Sequence, residues 1–233
     1  MENIKFKPIS AFIFFPLLFL IFIRPFVSGL TYPVFEFYFE ILIILIAAVT
    51  LIIHLRGGQP VHPVGGIGVP IIILLLAYIL STITSVNPHN SIKETLKFIG
   101  YILIFFCVSR ADEGQKKTII KIMLISAILI SLYAIYQYFL GYQHTIDSLR
   151  RTGNDILLNS SYARDVLIAK RAIGTFPSPN IFGSYLIMMV FLSLAYIQPS
   201  QPRRLPKATY AVFVVIALIL TKSLGAWLSL IAC

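Results

Sequence analysis

Five basic side chains crowd into one stretch of the chain: Arg150, Arg151, Arg164, Lys170 and Arg171. Asp147, Asp155 and Asp165 are interleaved with them. Arginine suits phosphate and carboxylate because its planar fork stays charged and presents two parallel N–H donors. This pattern has two readings. In one, the arginines hold an anionic ligand; in the other, they touch lipid headgroups and pair with the three aspartates. Other polar residues offer weaker chemistry. His144, in the same stretch, is either a base or a solvated loop histidine. Glu36 and Glu40 lie one helical turn apart, near Arg24 at the end of an apolar run. They read as a structural tie between helix ends or as carboxylates facing a cavity. His54, His62 and His89 have no metal-ligand spacing. Cys107 and Cys233 form neither a disulfide framework nor a metal pair. There is no dinucleotide fingerprint, Walker loop, CxxC or HExxH. Gly65-Gly66-x-Gly68 has no strand before it and reads as a loop-to-helix transition.

These residues sit on an unusually apolar scaffold. Of 233 residues, 58% are hydrophobic and 12% charged, with a mean hydropathy of +0.88. Soluble domains are about 45–50% apolar and about 25% charged. The composition excludes a soluble enzyme, a disordered tail and a nucleic-acid-binding module, and leaves an all-α, polytopic transmembrane bundle. The net charge of +10 then fits basic loops flanking apolar spans. A secretory signal would stop after roughly 7–15 apolar residues at a small-residue cleavage site. Here the first run carries Phe12, Phe14, Phe15, Phe19 and Phe22 and ends at Arg24-Pro25, so it reads as a retained span.

A crossing helix needs about 20 mostly apolar residues. On that ruler the spans are expected near 9–28, 34–53, 65–85, 92–109, 118–140, 180–198 and 207–221. That makes seven complete spans, and an eighth begins at Leu224 and is cut off at Cys233. One helix over 207–233 would put Lys222 near the bilayer centre at about 2.5–3.5 kcal/mol, so a turn is expected at 221–225. With the N-terminus inside, the inner loops hold Lys5, Lys7, Arg56, Arg110, Lys116, Lys117, Arg203, Arg204 and Lys207. The short outer segments hold only Arg24, Lys93, Lys97 and Lys222. This bias makes the N-terminus cytoplasmic and leaves the 141–179 loop outside, its five basic residues being the exception.

The chain thus divides into helices over 1–140, the external loop over 141–179, and further spans over 180–233. A connection this long is uncommon and is either functional or disordered. Leu157, Leu158, Tyr162, Val166, Leu167 and Ile168 argue against disorder. Asn159 or Ser160 is expected to cap a short interfacial helix running to Lys170. Arg164, Ile168 and Arg171 would then share a face at i, i+4 and i+7. Beyond the helix, Gly174 permits a tight exit, Pro177 and Pro179 hold the chain extended, and Asn180 is placed to cap the next span. The same residues could equally make nothing more than a stable loop-to-helix transition. Arginines on the outer face suit an anionic lipid substrate such as a lipid pyrophosphate.

Two stretches also carry a resemblance. Residues 171–186, with Gly174, Thr175, Phe176, Pro179, Asn180, Phe182 and Gly183, resemble a signature of the O-antigen ligase and O-antigen polymerase superfamily. Pro177 and Ser178 replace its more usual Gly and Asn. Residues 220–228, with Thr221, Ser223, Gly225, Ala226 and Trp227, resemble a second signature, in which Leu224 stands in place of Arg. Together they cover about a tenth of the chain.

The resemblance implies a glycosyltransferase of the bacterial inner membrane, in lipopolysaccharide biosynthesis or a related surface polysaccharide pathway. The 141–179 loop would be periplasmic. The donor would be a glycan on undecaprenyl pyrophosphate, and the acceptor lipid A–core or another carrier-linked glycan. Membrane lipid surrounds it, no nucleic acid is involved, and no metal or cofactor is required. Arg171, and secondarily Arg164, would contact the donor pyrophosphate, with Lys222 a partial substitute for the missing arginine. Such proteins resemble a bundle of about a dozen spans, with a later external loop carrying a histidine. A 233-residue product lacking that loop is expected to be an inactive fragment. A lipid-linked glycan flippase or other transporter, for which Pro16 is the clearest mid-span breaker, and a non-catalytic membrane subunit remain the alternatives.

Overall fold

The computed structural model describes residues 11–27, 33–56, 67–153, 155–196 and 205–232. Lys5, Lys7, His62, Gly65, Gly66, Arg203, Arg204 and Cys233 lie outside them, as do the side chains of His54, Arg56, Asp155 and Lys207. The described residues are helical and contain no strand. The helices follow the apolar runs: α1 Ala11–Ile23, α2 Pro33–Arg56, α3 Gly68–Ile83, α4 Pro88–Ser109 and α5 Glu113–Tyr136. Short elements follow, α6 Tyr142–Arg151, α7 Asp155–Leu158 and α8 Ser161–Ala163, and then α9 Pro179–Tyr196, α10 Leu205–Thr221 and α11 Leu224–Ala232. α1 continues through Pro16 without a break in its assigned helix. Pro16 is the sixth residue of the described helix, past its first turn, so its missing N–H removes one interior hydrogen bond.

Two stretches, Val34–Ile53 and Glu113–Arg151, are long and apolar enough to cross a membrane by length and composition. The expected count of seven spans and a partial eighth is therefore met only in part among the described residues. Phe14–Phe26, Gly68–Ile83, Pro179–Ala195 and Ala211–Thr221 are apolar but shorter. α3 shows the physical reason: its 16 residues rise only about 24 Å, against a hydrocarbon core of about 30 Å. The turn at Thr84–Asn87 ends it, and Asn87 caps α4 by accepting from the Asn90 amide at 3.4 Å.

The chain divides into two compact units. The first contains Met1–Ile21 and Thr31–Ile119. Leu17, Ala47 and Cys107, all fully buried, form one of its apolar clusters, and the Cys107 thiol donates to the Ala47 carbonyl at 3.4 Å. α3 packs on α4 through stacked Tyr78 and Phe98 rings 4.4 Å apart and a 2.7 Å Thr82–Thr95 hydroxyl bond. None of its side chains is buried.

The second unit contains Phe22–Leu30 and Ile120–Cys233. In its core, Ala127, Ile130 and Ala134 of α5, Phe182 and Leu186 of α9, and Ala217 and Leu218 of α10 are all fully buried. α9 lies closest to α10, and side chains of α5 join the same core, where dispersion contacts hold the helices together. Gly141 does not end the fifth apolar run, contrary to the expected loop start. It takes helical dihedrals, and a π-helical turn over Gln137–Gly141 leads directly into α6.

Candidate functional site

The chain between α6 and α9 is tied down at nearly every step. Thr152 and left-handed Gly153 (φ 67°) turn it after α6. Ser160 caps α8 as expected, accepting from the Ala163 amide at 3.1 Å. A π-helical turn over Arg164–Ile168 follows, and Lys170 adopts φ 48°. That left-handed residue stops the helix before Arg171. The expected shared face of Arg164, Ile168 and Arg171 therefore does not form, because the last helical residue is Ile168, in a π-helical turn, and Arg171 lies beyond it.

Arg171 is instead fixed through its own backbone and side chain. The Tyr142 hydroxyl donates to the Arg171 carbonyl at 2.8 Å. The Ala172 amide donates to Leu220 O at 2.9 Å. Gln137 Nε2 donates to Gly174 O at 3.0 Å, and Thr175 Oγ1 donates to Pro25 O at 2.6 Å. Gly174 turns the chain with φ 58°, and Phe176 packs on Phe182 with ring centroids 5.4 Å apart.

The Arg171 guanidinium spends each nitrogen on a different element. Nε donates to Thr221 O at 3.1 Å. Nη1 donates to Asp165 Oδ1 at 2.6 Å, and Nη2 to Asn180 Oδ1 at 2.9 Å. Asn180 Oδ1 also accepts from Ser223 Oγ at 2.9 Å. Lys222 adopts φ 50°; its ammonium donates to Ala169 O at 2.8 Å and stands 5.8 Å from the Tyr138 ring centroid, within cation–π range. The two signature stretches thus fold against one another. Lys222 and Ser223 form the expected break between α10 and α11.

Asn180 does not cap α9 as expected. Pro179 is already the first helical residue, which moves the cap two positions back. Ser178 Oγ takes that place, accepting from the Ile181 amide at 3.3 Å. Asn180 is thereby released to receive Arg171 and Ser223.

Gly183 brings α9 against α11. A Cβ there would lie 3.0 Å from Ala226 Cβ and 3.2 Å from Ser223 Cβ. Gly183→Ala is expected to cost about 1–3 kcal/mol by overpacking, read as a lowered unfolding midpoint of the detergent-solubilised protein. Unchanged stability would show that the two helices separate freely. Nothing lies within 4 Å of a Cβ built on Gly225, and the structure offers no reason for a glycine there.

The remaining sequence candidates are more dispersed. Arg164 is exposed and makes no side-chain hydrogen bond or ion pair among the described residues, so it does not join the Arg171 network. His144, Arg150 and Arg151 are exposed on α6. Asp147 accepts from Gln143 at 3.1 Å, one helical turn away. In the first unit, Glu36 and Glu94 both pair with Lys97, at 3.5 and 3.0 Å. With buried Glu40 they line a cleft of about 180 Å³ between α2 and α4. Among the described residues, no group of three metal-binding side chains comes together.

Thr221, Asn180 and Tyr142 were not legible as partners of Arg171. The only signal for the first two was their place in the two signature stretches, and Tyr142 carried none. Comparisons of the chain with protein-family models, curated proteins and solved structures yielded no match.

Proposed function

We propose that the chain is a multi-pass protein of the bacterial inner membrane, of the O-antigen ligase or polymerase type, whose Arg171 cluster handles a glycan-linked undecaprenyl pyrophosphate. The observation that carries this reading is the Arg171 guanidinium bridging Asn180 and Thr221, one from each stretch that resembles that superfamily. A membrane setting is supported by the two long apolar helices and by α3, whose Ile73 and Leu80 are 62% and 63% exposed. In this reading the polypeptide crosses about seven times, its N-terminus is cytoplasmic and the 141–179 loop is periplasmic.

In the transfer itself, a hydroxyl of lipid A–core or of a second carrier-linked glycan attacks the anomeric carbon of the donor sugar. The bond from that carbon to the pyrophosphate oxygen breaks with its electron pair going to that oxygen, and the hydroxyl proton passes to water. The charge that develops on the departing pyrophosphate is where positioned cations lower the barrier. Arg171 is the fixed cation. Lys222 is held beside the same backbone by Ala169, and exposed Arg164 is the secondary contact.

The alternatives are a lipid-linked glycan flippase and a non-catalytic membrane subunit. The subunit reading is favoured by one observation: all three guanidinium nitrogens of Arg171 already have protein acceptors. Deleting the gene and resolving the cell's lipopolysaccharide by gel separates the readings. Loss of the whole ladder identifies a ligase, and a single-repeat band a polymerase. An unchanged ladder would contradict the transferase reading for lipopolysaccharide.

A further inference from the structure

The three bonds of Arg171 are not equivalent. Nε is committed to a backbone carbonyl of Thr221, a residue with no exposed surface. Nη2 is committed to a neutral amide oxygen that Ser223 also holds in place. Only Nη1 meets a charged partner, and the Asp165 side chain is 52% exposed against 17% for Arg171. Removing Thr221 or Asn180 from the guanidinium would strand a buried or shared acceptor. Withdrawing Asp165 would merely return a carboxylate to water, since such half-exposed ion pairs contribute little.

We propose that Asp165 is a resident counter-anion that occupies the ligand's place on Arg171 Nη1, so that an incoming phosphate group binds by displacing it. This rests on the pyrophosphate reading above and assigns the atom and the competitor within it. Nε and Nη2 keep the guanidinium plane fixed while Nη1 exchanges one anionic oxygen for another. Asp165 sits in the π-helical turn, whose backbone is closed by a bond from the Ala169 amide to Arg164 O at 3.0 Å, so the exchange moves its half-exposed side chain and not the turn. Because the competitor is tethered, it lowers the affinity for any phosphate ligand by one common factor. It also speeds release, as Asp165 returns when the ligand leaves.

The test uses the full chain in nanodiscs, titrated with farnesyl pyrophosphate and farnesyl monophosphate as probes. Asp165→Asn is expected to bind both probes about two- to fivefold more tightly than wild type, the span of an exposed ion pair. Asp147→Asn removes the same charge from the same loop and is expected to leave both affinities unchanged. The unfolding midpoint of each variant shows that it remains folded. Weaker or unchanged binding by Asp165→Asn would overturn the inference, and so would an equal gain in Asp147→Asn, which would mark a general charge effect. If wild type binds pyrophosphate in an Arg171-dependent way while Asp165→Asn gains nothing, only this inference fails. If no probe binds wild type or either variant, the pyrophosphate reading fails with it.

Discussion

Arg171→Ala is expected to lower the stability of the second unit by about 2–4 kcal/mol and to weaken prenyl-pyrophosphate binding at least tenfold. A hydrogen bond to a charged group contributes about 1.5–3 kcal/mol, and orphaning a buried acceptor costs about 1–3 kcal/mol. The Thr221 carbonyl is such an acceptor. Asp165 adds little to this sum because it returns to water. Arg171→Lys separates shape from charge. A lysine ammonium preserves the charge but not the planar fork that reaches Thr221, Asp165 and Asn180 together. It is therefore expected to restore part of the binding while leaving most of the stability loss. Thermal unfolding and probe titration of both variants check this. Full stability in Arg171→Ala would mean that the three bonds do not hold the two stretches together.

Gly174→Ala is expected to be comparably damaging, at about 2–5 kcal/mol, for a purely steric reason. The backbone there has φ 58°, which costs an L side chain about 1–2 kcal/mol. The new Cβ would stand 3.0 Å from Ile130 Cγ2 and 3.3 Å from Phe182 Cζ, and overpacking of that kind adds about 1–3 kcal/mol. Ile130 and Phe182 are both fully buried in the core of the second unit, so neither can swing away. Gly225→Ala is the matched control, since nothing lies within 4 Å of its Cβ. Its unfolding midpoint is expected to stay level or rise, because alanine is the better helix former. Equal loss in both variants would contradict the assignment of Gly174 to a left-handed, crowded turn.

Much of the fold was legible in the sequence because long apolar runs and their breakers act locally. The α10–α11 break was readable at Lys222, whose charge resists a place within one apolar helix. The Ser160 cap and the tight turn at Gly174 were likewise local signals. Three things were not. Arg171 lost its helical register because Lys170, with no glycine to announce it, took a left-handed conformation. Asn180 was misassigned as a cap because Pro179 opens α9, shifting the cap to Ser178. Gly141 looked like a stop but sits in a π-helical turn that extends the helix to Arg151. The partnership of Arg171 with Thr221 spans 50 residues, a separation that no local pattern reports. Span counting was limited differently: apolar composition was plain, whereas helix length depends on where each helix is capped.

The most direct measurement is native mass spectrometry of the protein extracted from its own membrane, comparing wild type with Arg171→Lys. A prenyl-pyrophosphate-linked glycan should be retained by wild type and only in part by Arg171→Lys, which keeps the charge but not the fork. Equal retention by both proteins, or wild type carrying only bulk phospholipid, would contradict a pyrophosphate-handling role for Arg171.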